Sequence, residues 1–261
     1  MTDVQLYNYN MGPDVVAFST TRKGGYSTDC YASFNINCYC GDSEDHILRN
    51  RALLCRQLGI RDDHLIMPHQ THETRVACID EAILSLSTDE RQQTLEGIDA
   101  LMTNISGVCI GVSTADCIPL LLYDPQHHAV CAIHAGWRGT MRRIVEKAVQ
   151  AMTETYATRP SDLIAQIAPG ISLDSFEVGQ EVCDAFAAAG FEMRKISSGM
   201  DGERPHIDLP ECNRQQLLAC GLLAENITDC GICTYQHHDT FFSARRLGIQ
   251  SGRIFTGILL K

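Results

Sequence analysis

The chain contains 261 residues, with 21 Lys or Arg against 32 Asp or Glu, which gives a formal charge of −11 with histidine neutral. Its 44% apolar and 20% charged residues can bury a core, which excludes disorder as the main state. The acidic balance also argues against nucleic acid or an anionic membrane surface as a partner, because both require clustered Lys and Arg.

Strand and helix patterns can be recognised in the first part of the chain. Residues 14–20 (DVVAFST) predict a strand, and residues 43–58 predict a helix with Ser43 as its N-cap and apolar residues at helical spacing. Residues 74–79 predict a second strand, whereas residues 80–96 are typical of exposed loop and short helix.

The middle of the chain has the most regular pattern. Residues 107–114, 118–123 and 128–134 predict three short apolar strands, with residues 124–127 (DPQH) as a hairpin turn between the last two. A helix is predicted from residue 139 or 140 to residue 156. The remaining predicted elements are a strand over 163–168 and helices over 178–189 and 210–220. This alternation predicts one α/β domain over residues 1–261, with a mixed β-sheet packed with helices.

Thirteen cysteines and ten histidines supply many groups that can bind a metal. An odd number of cysteines cannot all pair within the chain, and the N-terminal residues lack the basic and apolar regions of a secretion signal. The longest apolar runs also fall short of the roughly 20 residues of a membrane helix, so we expect a cytoplasmic protein without a membrane segment. Most cysteines then act as small buried apolar residues. The C-x-x-C of Cys230 and Cys233 lacks the context of a redox or zinc motif.

Three segments concentrate reactive or metal-binding groups, and the first is residues 68–73 (PHQTHE). Its histidines, His69 and His72, are three residues apart, but Pro68 and the strand that follows favour a loop over a helix. On spacing alone, a surface histidine pair and a pair of metal ligands are equally compatible with this segment.

The second segment, residues 113–119 (STADCIP), places Asp116 beside Cys117 at the junction of two apolar strands. Aspartate is rarely buried without a partner, and the ends of buried strands are where α/β proteins place their function. We therefore favour a functional site here over the simpler alternative, a turn aspartate next to a core cysteine.

The third segment, residues 134–140 (HAGWRGT), follows a strand and opens a helix. Gly136 and Gly139 permit close backbone approach, and the free N–H groups at a helix start attract anions. Arg138 offers bidentate contacts to phosphate or carboxylate, although a glycine-rich turn with a salt-bridged arginine fits the same pattern.

Side-chain chemistry groups His72, Cys117 and His134 as a candidate metal site, although their separations along the chain carry no information about distance. Two imidazoles and a thiolate suit zinc, with copper as the alternative. Three protein ligands leave the fourth tetrahedral position open, as in catalytic rather than structural zinc sites. Asp116 would then act as a general acid or base, or orient a ligand.

These motifs resemble the bacterial YfiH-like family, which is also named for a multicopper polyphenol oxidase (laccase) domain and is related to the human protein FAMIN. The family pattern has a Q-x-H element, then T-A-D-C-x-P and H-A-G-W-R-G, which correspond here to residues 70–72, 114–119 and 134–139. The similarity covers residues 15–255, nearly the whole chain. Its flanking segments are residues 18–25, 33–35, 41–42, 50–51, 167–171, 206–209, 213–214 and 241–246.

The resemblance implies a metal, most often zinc, at His72, Cys117 and His134. It also implies purine-nucleoside chemistry: phosphorolysis of adenosine, inosine, guanosine or methylthioadenosine, and hydrolytic deamination of adenosine. The partners would then be a small nucleoside and phosphate. The candidate catalytic residues are Asp116, Cys117 and Arg138. The further candidates for binding substrate or phosphate are Arg22, Asn35, Gly136, Gly139 and Arg245.

The chain departs from the family pattern at two positions. Glu73 stands where a glycine is common, and Ala244 stands where an aromatic residue is common. Neither residue is a proposed ligand, so both departures bear on substrate preference.

Two other functions remain open at this point. A copper-dependent polyphenol oxidase agrees with the family name, but the chain has no H-x-H pair of the kind that multicopper oxidases use to build a trinuclear cluster. A non-enzymatic scaffold or peptidoglycan-editing factor is the other alternative. Asp116 and Arg138 disfavour it, since a purely structural zinc site usually fills its fourth position with protein.

Overall fold

Two β-sheets stacked face to face form the centre of the fold in the computed structural model, which describes residues 4–199 and 204–261. Its strands, in chain order, are β1 (Leu6–Tyr9), β2 (Val15–Thr20), β3 (Leu65–Ile66), β4 (Val76–Cys78), β5 (Ala100–Thr103), β6 (Cys109–Thr114), β7 (Ile118–Asp124), β8 (Ala129–Ala135), β9 (Ile164–Ile167), β10 (Ser197–Ser198), β11 (His206–Ile207), β12 (Ile227–Asp229) and β13 (Ile254–Leu260). Its helices are α1 (Glu44–Leu58), α2 (Glu81–Leu84), α3 (Thr88–Thr94), α4 (Trp137–Met141), α5 (Ile144–Tyr156), α6 (Gln180–Ala188), α7 (Met193–Ile196), α8 (Leu209–Ala219) and α9 (Ala244–Leu247).

Both large sheets combine parallel and antiparallel pairs. The first has the strand order β1-β2-β13-β6-β3 and the second β12-β9-β7-β8-β5-β4, while β10 and β11 pair separately. The β3–β6, β4–β5 and β9–β12 pairs are parallel, and β7 pairs antiparallel with β8 and β9. The predicted α/β fold with mixed pairing is confirmed, with the difference that the strands are divided between two sheets.

Strand β7 shows how the sequence builds these layers. Leu120 and Leu122 belong to the apolar core shared with α5, α6 and α8, whereas Leu121 and Tyr123 belong to the core between the sheets. A strand buried on both faces requires a continuous apolar run rather than polar alternation, and β7 has such a run. Each buried leucine contributes about 1.5–3 kcal/mol, so the β7–β8 hairpin is a firm support for the residues at its ends.

Most predicted elements are present with their ends within two residues of the predicted positions. The hairpin turn is confirmed, because β7 and β8 pair antiparallel around it. The carboxylate of Asp124 accepts hydrogen bonds from the backbone N–H groups of Gln126 and His127, which closes this turn.

The single helix predicted over residues 139–156 is wrong, because the chain forms two helices, α4 and α5, instead. Arg143 separates them with a left-handed φ of +66°. Its guanidinium lies 3.8 Å from the ring centroid of Phe191 and donates to the carbonyl of Ala189. A contact with a distant segment therefore overrides the local helical pattern.

All thirteen cysteines are free thiols, but fewer of them are buried than predicted. Six are buried, whereas Cys30 and Cys38 are exposed. Within the part of the chain that the structure describes, no helix is long and apolar enough to cross a membrane. The interpretation of the N-terminus depends in part on residues 1–3, which lie outside the described residues.

Candidate metal centre and its cavity

Three side chains that were grouped by chemistry alone lie together in the structure. The ligand atoms of His72, Cys117 and His134 all lie within 4.8 Å of one another. They are the one group of three or more His, Cys, Asp or Glu side chains with such an arrangement in residues 4–199 and 204–261. His134 is buried, Cys117 is half-buried and His72 is exposed, so the group opens to the surface on the His72 side.

The β7–β8 hairpin brings Cys117 and His134 together. Its register pairs Ile118 with Ala135 and Pro119 with His134. Cys117, the residue directly before β7, therefore lies close to His134, the second-last residue of β8. His72 reaches the same place from the loop between β3 and β4. The apolar strands therefore place two ligands, and the third depends on how its loop is held.

Two non-glycine residues at this centre have left-handed backbone conformations. The φ values are +63° at His72 and +87° at Asp116. Such conformations are uncommon and cost free energy, so the surrounding structure must stabilise them, which is typical of functional sites.

Asp99 stabilises both segments that carry a histidine ligand. Its fully buried carboxylate accepts a hydrogen bond from Nδ1 of His134 at 2.7 Å. It also accepts the backbone N–H groups of His72 and Glu73, at 3.1 Å and 2.8 Å. Because Nδ1 of His134 donates to Asp99, Nε2 is the nitrogen left to face a metal. Burial raises the pKa of Asp99, but these hydrogen bonds, led by that from His134, bring it below its ordinary value.

The centre favours a thiolate at Cys117. Burial raises the pKa of this thiol, but the imidazoles of His134 and His72 outweigh burial and lower it to about 6. Burial lowers the pKa of His134, whereas the sulfur of Cys117 and the carboxylate of Asp99 raise it to about 9. The thiolate is the form of cysteine that binds metals, so Cys117 is prepared for ligation, whereas a metal that binds His134 must displace the proton on Nε2.

Gly136 provides the space in which the three ligands meet. A Cβ atom at this position would lie 2.9 Å from Cδ2 of His72 and 3.1 Å from Sγ of Cys117. The backbone φ of Gly136 is −69°, so the absence of a side chain is required by space and not by conformation. The groups that approach this glycine closely are the candidate ligands themselves.

The residues present fit a zinc or copper ion. Two imidazole nitrogens and one thiolate form a donor set that both metals accept, and three protein donors leave one tetrahedral position open. The clearance at Gly136 and the orientation of His134 by Asp99 are features expected of a site that holds an ion.

A cavity of about 260 Å³ opens beside the three candidate ligands. Among the described residues, its lining includes one arginine and no Asp or Glu. The lining residues other than the ligands are Asn37, Tyr39, Cys40, His69, Gln70, Ser113, Thr114, Ala115, Ala244, Ile249 and Arg253. The group of three candidate ligands and a small cavity are therefore adjacent.

His69 and Gln70 line the cavity without joining the ligand group. The ring of His69 stacks on Tyr39 with centroids 4.1 Å apart, and its Nδ1 lies 2.7 Å from a carboxylate oxygen of Glu96. Of the two histidines in the first segment, only His72 belongs to the candidate centre. Gln70 binds the backbone of Ser113 twice, since Oε1 accepts its N–H and Nε2 donates to its carbonyl.

Of the sequence-predicted site residues, only the three candidate ligands line the cavity. The other seven do not: Arg22, Asn35, Asp116, Gly136, Arg138, Gly139 and Arg245. Arg138 is exposed, with its guanidinium 4.3 Å from the ring centroid of Trp137. Gly139 is buried in α4, where an added Cβ would lie 3.3 Å from the carbonyl oxygen of Glu73. Arg22 donates from its guanidinium to two backbone carbonyls of neighbouring loops, those of Ala32 and His238.

Hydrogen bonds determine where three further sequence-predicted residues lie: Asp116, Arg245 and Asn35. The two carboxylate oxygens of Asp116 accept from the hydroxyl of Thr234 and from the backbone N–H of Arg245, each at 2.7 Å. The guanidinium of Arg245 donates to the carbonyl of Glu177. Asn35 is fully buried and lies outside the cavity lining: Oδ1 accepts the backbone N–H groups of Asn37 and Arg253, and Nδ2 donates to the carboxylate of Asp42.

The role of Asp99 was missed in the sequence analysis. The available signal was an aspartate directly before a buried apolar strand, β5, which is the pattern that drew attention to Asp116. Because β5 itself was not predicted, nothing in the sequence indicated that Asp99 lies at the start of a strand.

The fold and the site together define an α/β protein with an open centre of two histidines and a cysteine. The chain belongs to a known family: a family model described as multi-copper polyphenol oxidoreductase laccase matches residues 16–261. This confirms the family resemblance that the sequence motifs indicated.

Curated relatives and solved structures support the same assignment. A purine nucleoside phosphorylase of Bacteroides thetaiotaomicron is 49% identical over 93% of this chain and 90% of its own length. The adenosine deaminase RL5, from an unknown prokaryotic organism, is 46% identical over 95% of this chain and 94% of its own length. The crystal structure of a hypothetical protein YfiH of Bacillus licheniformis has a TM-score of 0.89 at 29% identity, with 95% of this chain and 93% of that chain covered.

Proposed function

We propose that this protein is a zinc-dependent enzyme of purine nucleosides, which cleaves adenosine, inosine, guanosine or methylthioadenosine by phosphorolysis and deaminates adenosine. The observation that carries the proposal is the open His72–Cys117–His134 group beside a small cavity. Relatives named purine nucleoside phosphorylase and adenosine deaminase, each nearly half identical to this chain, support this substrate class.

The size of the cavity supports a small-molecule substrate. Its volume of about 260 Å³ is near the lower end of the range of ligand pockets, about 300–1,000 Å³. The absence of Asp and Glu from its described lining makes the cavity suitable for an anionic co-substrate such as phosphate. The thirteen free thiols support a reducing compartment such as the cytoplasm.

Zinc is the metal that we assign, held by His72, Cys117 and His134. When bound, such an ion supplies a Lewis acid at neutral pH. Asp99 keeps His134 oriented for ligation. We assign proton transfer to Asp116, which adjoins Cys117 in the chain and whose carboxylate has further lone pairs beyond those that Thr234 and Arg245 occupy.

Copper-dependent polyphenol oxidation agrees with the description of the family model. A multicopper mechanism requires several metal positions, whereas the described residues contain a single group of three candidate ligands. This observation favours nucleoside chemistry over oxidation.

Product analysis tests the proposal directly. The purified protein is incubated with adenosine or inosine, with and without phosphate. Hypoxanthine from inosine only in the presence of phosphate identifies phosphorolysis, and inosine from adenosine without phosphate identifies deamination. A Cys117→Ala variant, which lacks one ligand, is the matched control and should lose both the metal and the products.

Metal analysis and oxygen uptake with bis-phenols complete the experiment. Stoichiometric zinc with no oxygen uptake agrees with the proposal. Stoichiometric copper with rapid oxygen uptake, and no product from either nucleoside, would replace it with the oxidase.

A further inference from the structure

Arg253 is placed where an anion in the metal cavity would need a positive charge. It lies directly before β13 and is the one Lys or Arg among the described residues that line this cavity. The same lining includes no described Asp or Glu, although the whole chain has a formal charge of −11. The one negative group of the described lining is the Cys117 thiolate, whose charge a bound metal would offset, so the guanidinium makes this cavity locally suited to an anion in an otherwise acidic protein.

Backbone carbonyls, rather than an acid, hold the guanidinium of Arg253. Nη2 donates to the carbonyl of Ile249 at 2.9 Å. Nη1 donates to the carbonyls of Ser251 and Gly252 and lies 3.5 Å from the hydroxyl of Ser251. Within residues 4–199 and 204–261, Arg253 forms no salt bridge, and its Nε–H and second Nη2–H have no hydrogen-bond partner. The Nε–H and an Nη2–H form one of the edges by which a guanidinium makes a bidentate contact to phosphate, and neither nitrogen is held by an acid here.

Asn35 fixes the backbone that presents this guanidinium. Oδ1 of the fully buried Asn35 accepts the backbone N–H of Arg253 at 3.1 Å, and Nδ2 donates to the carboxylate of Asp42 at 2.9 Å. Asn35 was a candidate for substrate binding in the sequence, and its contacts indicate that it acts through Arg253.

We propose that Arg253 is the residue that binds inorganic phosphate inside the metal cavity, through a bidentate contact. This assignment rests on the proposed phosphorolysis. In that reaction a phosphate oxygen bonds to C1′ of the nucleoside while the C1′–N9 bond breaks and leaves its electron pair on the purine. The proton of hydrogen phosphate passes to the purine, so the products are the sugar 1-phosphate and the free base.

Variants of Arg253 test the assignment through two Michaelis constants. Inosine phosphorolysis is measured with phosphate and inosine varied separately. Arg253→Gln should raise the KM for phosphate about tenfold to a hundredfold, while the KM for inosine changes by less than about threefold. Arg253→Lys keeps the charge without the bidentate edge and should give an intermediate KM for phosphate.

A binding measurement and a control variant accompany the kinetics. Isothermal titration of inorganic phosphate into the protein should detect binding to the wild type and lose it in Arg253→Gln. Arg194→Gln is the control, because Arg194 is exposed on α7 and lies outside the cavity lining. It should leave both KM values and phosphate binding unchanged.

The outcomes separate this assignment from the proposed function. If the wild type releases hypoxanthine with phosphate but Arg253→Gln leaves the KM for phosphate unchanged, or raises both KM values equally, the assignment is wrong and the function stands. A rise in the KM for phosphate with Arg138→Gln and not with Arg253→Gln also overturns it. No phosphate-dependent product from the wild type removes the proposed phosphorolysis itself.

Discussion

A carboxylate oxygen of Asp99 lies 2.7 Å from Nδ1 of His134, and both side chains are buried. The same carboxylate accepts the backbone N–H of His72, so one buried acid orients two of the three candidate ligands. The affinity for a metal should therefore depend strongly on a residue that does not touch the ion.

Replacing Asp99 with Asn tests this dependence. The amide keeps the size of the side chain but removes its negative charge and one acceptor oxygen. We expect Asp99→Asn to lower zinc affinity about tenfold to a hundredfold, measured by competition with a chromogenic chelator.

Glu96→Gln is the matched control for Asp99→Asn. Glu96 also pairs with a histidine, His69, but both side chains are partly exposed and His69 is not a candidate ligand. Zinc affinity should stay unchanged in Glu96→Gln. Equal zinc affinity in Asp99→Asn and the wild type would show that Asp99 does not orient the ligands.

Gly136→Ala should remove the metal with little effect on the rest of the fold. The added Cβ would lie 2.9 Å from Cδ2 of His72 and 3.1 Å from Sγ of Cys117, so one ligand must move. We expect the purified variant to contain less than about half of the wild-type zinc by elemental analysis, because changes to the groups around metal ligands commonly lower metal affinity about tenfold or more.

Gly190→Ala separates loss of the metal from loss of stability. Gly190 has a φ of +80° and nothing within 4 Å of an added Cβ, so alanine there is strained but not crowded. It should lose about 1–2 kcal/mol of unfolding free energy and keep its zinc. If Gly136→Ala keeps full zinc content, the ligand group is looser than this geometry implies.

Two departures from the family pattern lead to opposite expectations. Ala244 lines the cavity, whereas Glu73 is exposed and forms a salt bridge with Arg142. Ala244→Phe should fill part of a cavity of about 260 Å³ and raise the KM for nucleosides about tenfold or more.

Glu73→Gly serves as the comparison for Ala244→Phe. The loss of an exposed ion pair should cost less than about 1 kcal/mol of stability, with kcat/KM for nucleosides within about twofold of the wild type. Steady-state kinetics on adenosine and inosine measure both variants. A larger effect on KM from Glu73→Gly than from Ala244→Phe would mean that substrate binds outside the cavity.

A local pattern predicted the hairpin on which two of the three candidate ligands lie, although it did not predict that the three ligands meet. The strand–turn–strand pattern around residues 124–127 predicted the hairpin, and its register brings Cys117 and His134 together. The position of His72 could not be predicted, because its loop is held by Asp99, far away in the sequence. Side-chain chemistry suggested His72 as a ligand, but only the tertiary structure shows that it lies close to Cys117 and His134.

Long-range contacts account for the remaining differences between sequence and structure. Strand β13 pairs with β2, so the chain's last strand completes a sheet begun near its start, and no local pattern specifies that partner. Arg253 lines the cavity because β13, which follows it, pairs with distant strands, so no local pattern could place it among the predicted site residues. The break at Arg143 depends on Phe191 in the same way.

Asp116→Asn should reduce turnover without releasing the metal. The amide keeps the shape of the side chain but cannot take up a proton, and removing general acid–base catalysis costs about a hundredfold to ten-thousandfold in rate. Thr234→Val is the control, since it removes a hydrogen bond to Asp116 without touching the carboxylate itself. It should cost about 1–3 kcal/mol of stability and retain most of the activity. Single-turnover rates on adenosine and inosine, measured with zinc content, distinguish the cases. Unchanged rates in Asp116→Asn would leave Asp116 with a structural role only, fixing the turn that positions Cys117.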